Sequence, residues 1–245
     1  GIGKRLDGYP NRSLNVGAIV ALSPAVPASL KAILNGWGPG RYDPRINFDG
    51  QNTPLVLPPA FGLRRVAKET FTAEGEVSYW NAYVAVTQMH GQGNFSDPRL
   101  GITVTRSPDL VTSKLPALRE YQFSLEAPAP PAGSFDAAAA TRGRQVFTGP
   151  GRCSSCHNPD TEFTDINAGV LHLPSETGMN AAYAQRTTQK RYRTTPLKGL
   201  WQHPPYFHDG SAADVAAVVE HYNGVLALGL TAQQKSDLAQ YLKSL

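Results

Sequence analysis

The segment Cys153-Ser154-Ser155-Cys156-His157 contains both cysteines of the 245-residue chain. Its Cys-x-x-Cys-His spacing allows the two thiols to bond to the two vinyl groups of one haem while the adjacent imidazole reaches the iron. The segment therefore predicts a c-type haem attachment site, with one covalent haem in this chain and His157 as the proximal iron ligand.

Paired cysteines also occur in thioredoxin-like redox pairs and in zinc sites. A redox pair follows a strand, whereas here a helical pattern and the break Gly149-Pro150-Gly151 come first. A structural zinc site has four ligands, and the sequence has no further cysteine to supply them, although its histidines could. The context therefore favours haem attachment. Because haem c is attached outside the reducing cytosol, the motif predicts a periplasmic or secreted protein.

Helical patterns lie on both sides of the motif. Ser134 or Asp136 can cap a helix that runs to about Phe147. Apolar residues at helical spacing predict a second helix over 215–222, and Thr231 can cap a final helix. The region that contains the motif is therefore predicted to be all-α.

A proline-rich segment over 127–133 has the composition of a semi-rigid linker. Residues 1–126 before it are rich in turn signals and show one helical pattern, Pro27–Asn35, that ends at Gly36. We therefore predict a loop-rich N-terminal domain over 1–126 that lacks a haem attachment motif, and a c-type haem domain over 134–245.

Composition and charge exclude several classes of protein. The length and the 41% of hydrophobic residues suffice for a buried core, which excludes fibrous and disordered chains. The net charge of +4 is spread over both halves, so no nucleic-acid binding is predicted. The longest apolar run, Val16–Leu22, is too short for a membrane span. The start, Gly1–Arg5, has no apolar signal segment behind it, which indicates a processed chain or a fragment.

The sixth iron ligand decides what the haem can do. A strong, fixed ligand limits the iron to electron transfer, whereas a weak or absent ligand lets it bind peroxide or oxygen. The side chains that could take this place are His90, His172, His203, His208, His221, Met89, Met179 and Tyr222. Each of them, taken alone, is more often a structural or surface residue.

Four separated motifs follow one another: Cys156-His157-Asn158-Pro159 with Glu162-Phe163-Thr164-Asp165, then residues 193–201, 204–211 and 218–223. In this order they resemble the C-terminal haem domain of bacterial di-haem cytochrome c peroxidases and MauG-type maturation enzymes. The resemblance implies a cytochrome c-like fold. It also implies an oxidoreductase that passes electrons through its haem to reduce peroxide or to oxidise a substrate, with a small redox protein as electron donor or acceptor.

The resemblance also reduces the number of candidates for the sixth iron ligand. Peroxidases of this family use a methionine on the helix after the His-Asp-Gly turn as sixth ligand, and the matching position here is Tyr222, as in the maturation enzymes. The neighbouring His221 is the better low-spin ligand, but it lies about 100° round the helix, so only one of the two can face the iron. Both therefore remain candidates. Tyr206 and Phe207 are expected to be walls of the haem pocket.

A run of cations without acidic residues lies between Thr177 and His208, namely Arg186, Lys190, Arg191, Arg193 and Lys198. Such a run is usually a solvated face, and this interpretation is favoured. The alternative is that one or two arginines pair with haem propionates. Arg193 is the first choice for that role, because it begins the segment that best matches the family.

Residues 1–126 resemble the same family more faintly, through Ser78–Ala82 and Met89–Gly91. Family members have a Cys-x-x-Cys-His in each domain, and this half has no cysteine. It is therefore expected to be a degenerate or truncated cytochrome c-like domain, or to follow an upstream haem-bearing segment or chain. The resemblance further implies a calcium ion, held partly by the carbonyls of His203 and Pro205.

Two other functions remain open from the sequence. One is a non-catalytic electron-transfer cytochrome, which ligation by His157 together with His221 would favour. The other is an oxygenase, like di-haem relatives that cleave polyisoprene. The sequence identifies no catalytic acid or base.

Overall fold

The computed structural model describes residues 13–24 and 26–245, so the chain start at Gly1–Arg5 lies outside the described residues. The α-helices are α1 (Val16–Ala21), α2 (Ala28–Gly36), α3 (Ile46–Asp49), α4 (Val77–Tyr83), α5 (Leu115–Ser124), α6 (Ala137–Thr148), α7 (Pro174–Thr177), α8 (Ala182–Gln185), α9 (Val215–Val225) and α10 (Ala232–Lys243). A π-helical segment, Val84–Gln88, continues α4. No helix among the described residues is both long and apolar enough to cross a bilayer.

Helices α6 and α10 pack against each other and form the core of the half that contains the motif. Helix α6 begins where the side chain of Asp136 accepts a hydrogen bond from the Ala139 amide. Helix α10 begins with a capping box formed by Thr231 and Gln234. Both helices are confirmed where the sequence predicts them.

A glycine allows the two helices to approach closely. A Cβ atom at Gly143 of α6 would lie 2.0 Å from the carbonyl oxygen of Asp237 in α10. Beside this crossing, Arg142 forms a bidentate ion pair with Asp237, and the rings of Phe147 and Tyr241 meet edge to face at 5.2 Å. The crossing therefore fixes the end of α6, from which the Cys-x-x-Cys-His segment follows.

Helix α9 packs on the same core through Val215 and Val219. Its first turn is capped by the side chain of Asp214. The helix continues to Val225, three residues past the predicted end at Tyr222. Tyr222 therefore lies inside a continuous helix and not at a frayed end.

The chain is mostly helical, as the predicted all-α class requires, but the first half also contains short strands. Two antiparallel strand pairs occur there: β1 (Arg41–Tyr42) with β2 (Leu55–Val56), and β3 (Phe95–Asp97) with β4 (Ile102–Val104). Strands of two or three residues are too short to show alternating hydrophobicity in a sequence. The helix predicted near Pro27–Asn35 is confirmed as α2.

Buried ion pairs join the two halves. The side chain of Arg186 is 1% exposed and binds the carboxylates of Asp43 and Asp49. Arg45 forms an ion pair with Glu74 and also donates to the carbonyl of Arg186. The interpretation of the basic run as a solvated face is therefore wrong for Arg186.

The linker predicted over 127–133 has no helix or strand. It contacts the second half, since Trp201 Nε1 donates to the carbonyl of Pro128 at 3.2 Å. The division into domains at this segment remains a prediction.

We expect Gly143→Ala to lower the free energy of unfolding by about 1–3 kcal/mol, because the added methyl group collides with the backbone of α10. Gly224→Ala in α9 is the matched control, since a Cβ there meets nothing within 4 Å. That change should stabilise the protein by about 0.5–1 kcal/mol. Urea denaturation measures both, and an unchanged stability of Gly143→Ala would contradict the close crossing.

Candidate haem-binding site

The Cys-x-x-Cys-His segment starts from a loop that folds back on α6. The amide of Gly151 donates to the carbonyl of Val146 at 2.8 Å, and a Cβ at Gly151 would lie 2.7 Å from that same oxygen. Residues Cys153–Ser155 then form a 3₁₀ turn. The loop therefore places Cys153 against the core formed by α6, α9 and α10.

Both cysteines are free thiols and half-buried. Burial raises the pKa of Cys153 to about 11, and it also raises the pKa of Cys156. A catalytic redox pair instead has a thiol whose pKa is lowered so that it reacts as thiolate. The geometry therefore disfavours the thioredoxin-like alternative and leaves two thiols available for thioether bonds.

One hydrogen bond sets the protonation state of His157. Its Nδ1 lies 2.9 Å from the backbone carbonyl oxygen of Phe163. A carbonyl only accepts hydrogen bonds, so Nδ1 carries the proton and Nε2 keeps the lone pair that binds a metal. Burial also lowers the pKa of His157, which keeps the imidazole neutral. The neutral His157 imidazole can therefore bind iron through Nε2.

The two candidates for the sixth ligand have different surroundings. Nε2 of His221 lies 2.8 Å from the carbonyl oxygen of Thr177, so this ring nitrogen donates to the backbone. Burial raises the pKa of Tyr222 to about 12, and the charges of the nearby Cys156 and Cys153 add to the rise. The charges of both cysteines thus act on the Tyr222 phenol, whereas the His221 imidazole binds the backbone.

The two predicted wall residues have different positions. The ring of Phe207 lies 4.7 Å from that of His221 and 5.8 Å from that of Tyr222, as centroid distances. Tyr206 is buried in the core, and its hydroxyl donates to the carbonyl of Leu200 at 3.0 Å. Phe207 thus adjoins the candidate ligand, whereas Tyr206 holds the turn before it.

Arg193 is a buried cation with an unused donor. Its side chain is 4% exposed, its Nε donates to the carbonyl of Thr70, and its Nη2 lies 3.7 Å from Glu69. Its Nη1 is buried without a hydrogen-bond partner. The solvated-face interpretation is therefore wrong for Arg193 as well. A buried guanidinium N–H that lacks an acceptor costs about 1–3 kcal/mol or more, which a bound carboxylate would offset.

His172 lies beside Cys156, whereas four other ligand candidates lie elsewhere. The imidazole of His208 stacks on Tyr192 at 4.4 Å, and its Nε2 lies 3.1 Å from the Tyr192 hydroxyl. Met179 packs in a separate cluster, and Met89 and His90 are exposed. None of these four side chains approaches the cysteines in the described contacts.

The place expected for calcium already has a positive charge beside it. Arg41 donates to the carbonyl of Asp209 at 2.9 Å. A Cβ at Gly210 would lie 3.1 Å from Arg41 Nη2 and 3.0 Å from the ring of Pro205. His203 is buried one turn earlier, against the ring of Phe61. The calcium ion remains a prediction.

The donor set fits a haem c better than any other group. Two free thiols, an imidazole with an open Nε2, a buried phenol and an orphaned guanidinium N–H match its two vinyl groups, its two axial positions and a propionate. Sequence reasoning missed one feature beside this set, a contact between Asp165 and His172 next to Cys156. Asp165 lies within a quoted motif, but no spacing rule connects it with His172.

No protein-family profile matches the chain. Two proteins of known sequence that resemble it are methylamine utilization proteins MauG. The one from Methylorubrum extorquens is 34% identical over 89 residues, which are 34% of this chain and 24% of the relative. The one from Methylophilus methylotrophus is 30% identical over 122 residues, which are 43% of this chain and 36% of the relative. The match thus spans about a quarter to a third of these relatives.

Two solved structures share the fold. A chain of Kuenenia stuttgartiensis hydrazine synthase has a TM-score of 0.54, with 79% of this chain and 73% of that chain covered. A MauG-like protein associated with microbial copper homeostasis has a TM-score of 0.51, with 80% and 74% covered. Both are 18% identical, so the likeness concerns the fold alone. Residues 134–245 are less than half of the chain, so the shared fold includes part of the first half.

The buried imidazole of His208 predicts a loss of stability in acid. Burial lowers the pKa of His208 in the folded state below its unfolded value of about 6.5. As the pH falls below about 6.5, the unfolded chain takes up a proton that the folded chain does not, so the free energy of unfolding decreases.

We expect His208→Gln to make this decrease smaller between pH 6.5 and 5.5, as measured by urea denaturation. The control is His90→Asn, because His90 is exposed and asparagine tolerates its left-handed backbone. Its pH dependence should match that of the wild type. If the free energy of unfolding depends on pH equally in His208→Gln and in the wild type, His208 does not cause the loss of stability in acid.

Proposed function

The chain is related to the MauG-type di-haem cytochrome c peroxidase superfamily, and on this basis we propose that it is a c-type haem oxidoreductase. One haem is bound covalently through Cys153 and Cys156, with His157 as proximal ligand. A haem c held there supplies one-electron redox chemistry at its iron. The observation that carries the proposal is the hydrogen bond from His157 Nδ1 to the Phe163 carbonyl beside two free thiols.

We place Tyr222, and not His221, at the sixth position. The imidazole of His221 is already used in its hydrogen bond to Thr177, which ligation of the iron by the same Nε2 would break. Phe207 fills the space between the two side chains. An oxygen ligand from tyrosine separates this protein from a cytochrome with two histidine ligands, and it favours the enzyme over the pure electron carrier.

Arg193 is proposed to hold a haem propionate through Nη1. The other polar atoms of its guanidinium face Thr70 and Glu69 in the first half. The first half therefore orients the guanidinium, which in turn offsets the negative charge of the propionate. This role connects residues 1–126 with the haem even though that half has no attachment motif of its own.

The reaction proposed is the reduction of peroxide or the oxidation of a substrate, with electrons exchanged with a small redox protein. Enzymes of this superfamily use two haems in their reaction. We therefore include in the proposal a second haem, bound by an upstream segment or by another chain. We place the protein in the periplasm or outside the cell, because the attachment chemistry requires an oxidising compartment.

The ligand assignment predicts opposite results for two neighbouring variants of the haem-loaded protein. Tyr222→Phe removes the oxygen ligand, so the ferric absorption and EPR spectra should change to those of a haem that has lost its sixth ligand. His221→Gln should leave both spectra as in the wild type. The assignment is wrong if the histidine variant changes the spectra and the tyrosine variant does not.

The enzymatic proposal is tested by adding hydrogen peroxide to the reduced, haem-loaded protein. Peroxide takes up two electrons and two protons to form two water molecules, and each ferrous haem supplies one electron, so we expect two haems to be oxidised per peroxide. A ferric EPR spectrum with a single low-spin signal of two histidine ligands, together with no reaction with peroxide, would instead identify an electron-transfer cytochrome.

A further inference from the structure

A polar cluster lies beside the haem attachment site, and apart from Cys156 its residues have no part in the function proposed above. The ligand atoms of Cys156, Asp165 and His172 all lie within 4.8 Å of one another. Nε2 of His172 is 2.9 Å from Asp165 Oδ2, and its Nδ1 is 3.3 Å from Glu176 Oε2. The cluster thus runs from Cys156 to Glu176, whose side chain is 47% exposed.

Asp165 is the buried end of this cluster. Its side chain is 16% exposed, and its Oδ1 is buried without a hydrogen-bond partner. It follows Phe163, whose carbonyl binds His157, by two residues. The same short segment therefore holds the proximal ligand and brings a negative charge next to it.

The charge of Asp165 already acts on the attachment site. Burial is the main cause that raises the pKa of the Cys156 thiol, and the carboxylates of Asp165 and Glu176 add to the rise. A charge that water screens poorly acts over a longer distance than one at the surface. Asp165 is the less exposed of these two carboxylates.

We propose that Asp165 tunes the reduction potential of the haem, with His172 holding its carboxylate in place. Reduction of the iron removes one positive charge, so a fixed negative charge nearby stabilises the oxidised state more than the reduced state. Asp165 therefore lowers the potential and makes the haem a better electron donor. This inference rests on the haem attachment proposed above.

The test is a redox titration of the haem-loaded variants. Asp165→Asn keeps the shape and removes the charge, and we expect the equilibrium constant for reduction to rise at least tenfold, a shift of about +59 mV for one electron. Asp165→Glu keeps the charge and should stay within twofold of the wild type. Glu176→Gln removes the same charge from an exposed position, and its shift should be less than threefold.

The inference fails if Asp165→Asn stays within twofold of the wild type, or if Asp165→Glu shifts the potential as much as Asp165→Asn does. The second result would assign the effect to packing. His172→Gln gives an independent measurement should Asp165→Asn not fold. It retains the carboxylate and a donor to it, so the potential should not rise, and a tenfold rise would contradict the proposal.

Failure of this inference and failure of the proposed function have different signatures. A wild-type chain without covalent haem overturns the function. Covalent haem with equal potentials in the wild type and Asp165→Asn overturns only the role of Asp165.

Discussion

The hydrogen bond between His157 Nδ1 and the carbonyl of Phe163 is the interaction on which the candidate site depends. Without it the ring could turn, and either nitrogen could carry the proton. With it, Nε2 has a lone pair and a fixed direction. The bond requires that the segment after the motif fold back on the imidazole, which the buried side chains of Phe163 and Thr164 stabilise.

The packing of the second half holds His157 and the two cysteines in place. The close crossing at Gly143 holds α6 against α10. The loop through Gly151 connects α6 to the cysteines, so the position of the helix determines theirs. Helix α9 packs on the same core and carries Tyr222, and the charges of both cysteines act on its phenol. The first half adds the acceptors that hold Arg193 and Arg186. Both halves thus contribute residues to the proposed haem site, although the attachment motif is in the second.

The sequence predicts those features that depend on neighbouring residues. Asp136 and Thr231 cap their helices through side chains that bind amides three residues away, so a local pattern identifies them. The attachment motif is equally local. The burial of Arg186 and Arg193 is not, because their partners lie more than a hundred residues earlier in the chain. The same limit applies to the hydrogen bond between His221 and Thr177, which lies 44 residues earlier in the chain.

The central claim is that a porphyrin is bonded through thioethers to Cys153 and Cys156. Intact mass of the denatured natural protein after acid–acetone extraction tests it most directly. The account predicts that the colour stays with the polypeptide, that its mass exceeds the sequence mass by one haem, and that neither cysteine reacts with an alkylating reagent. Complete loss of colour into the solvent, with two alkylated cysteines, would contradict the account.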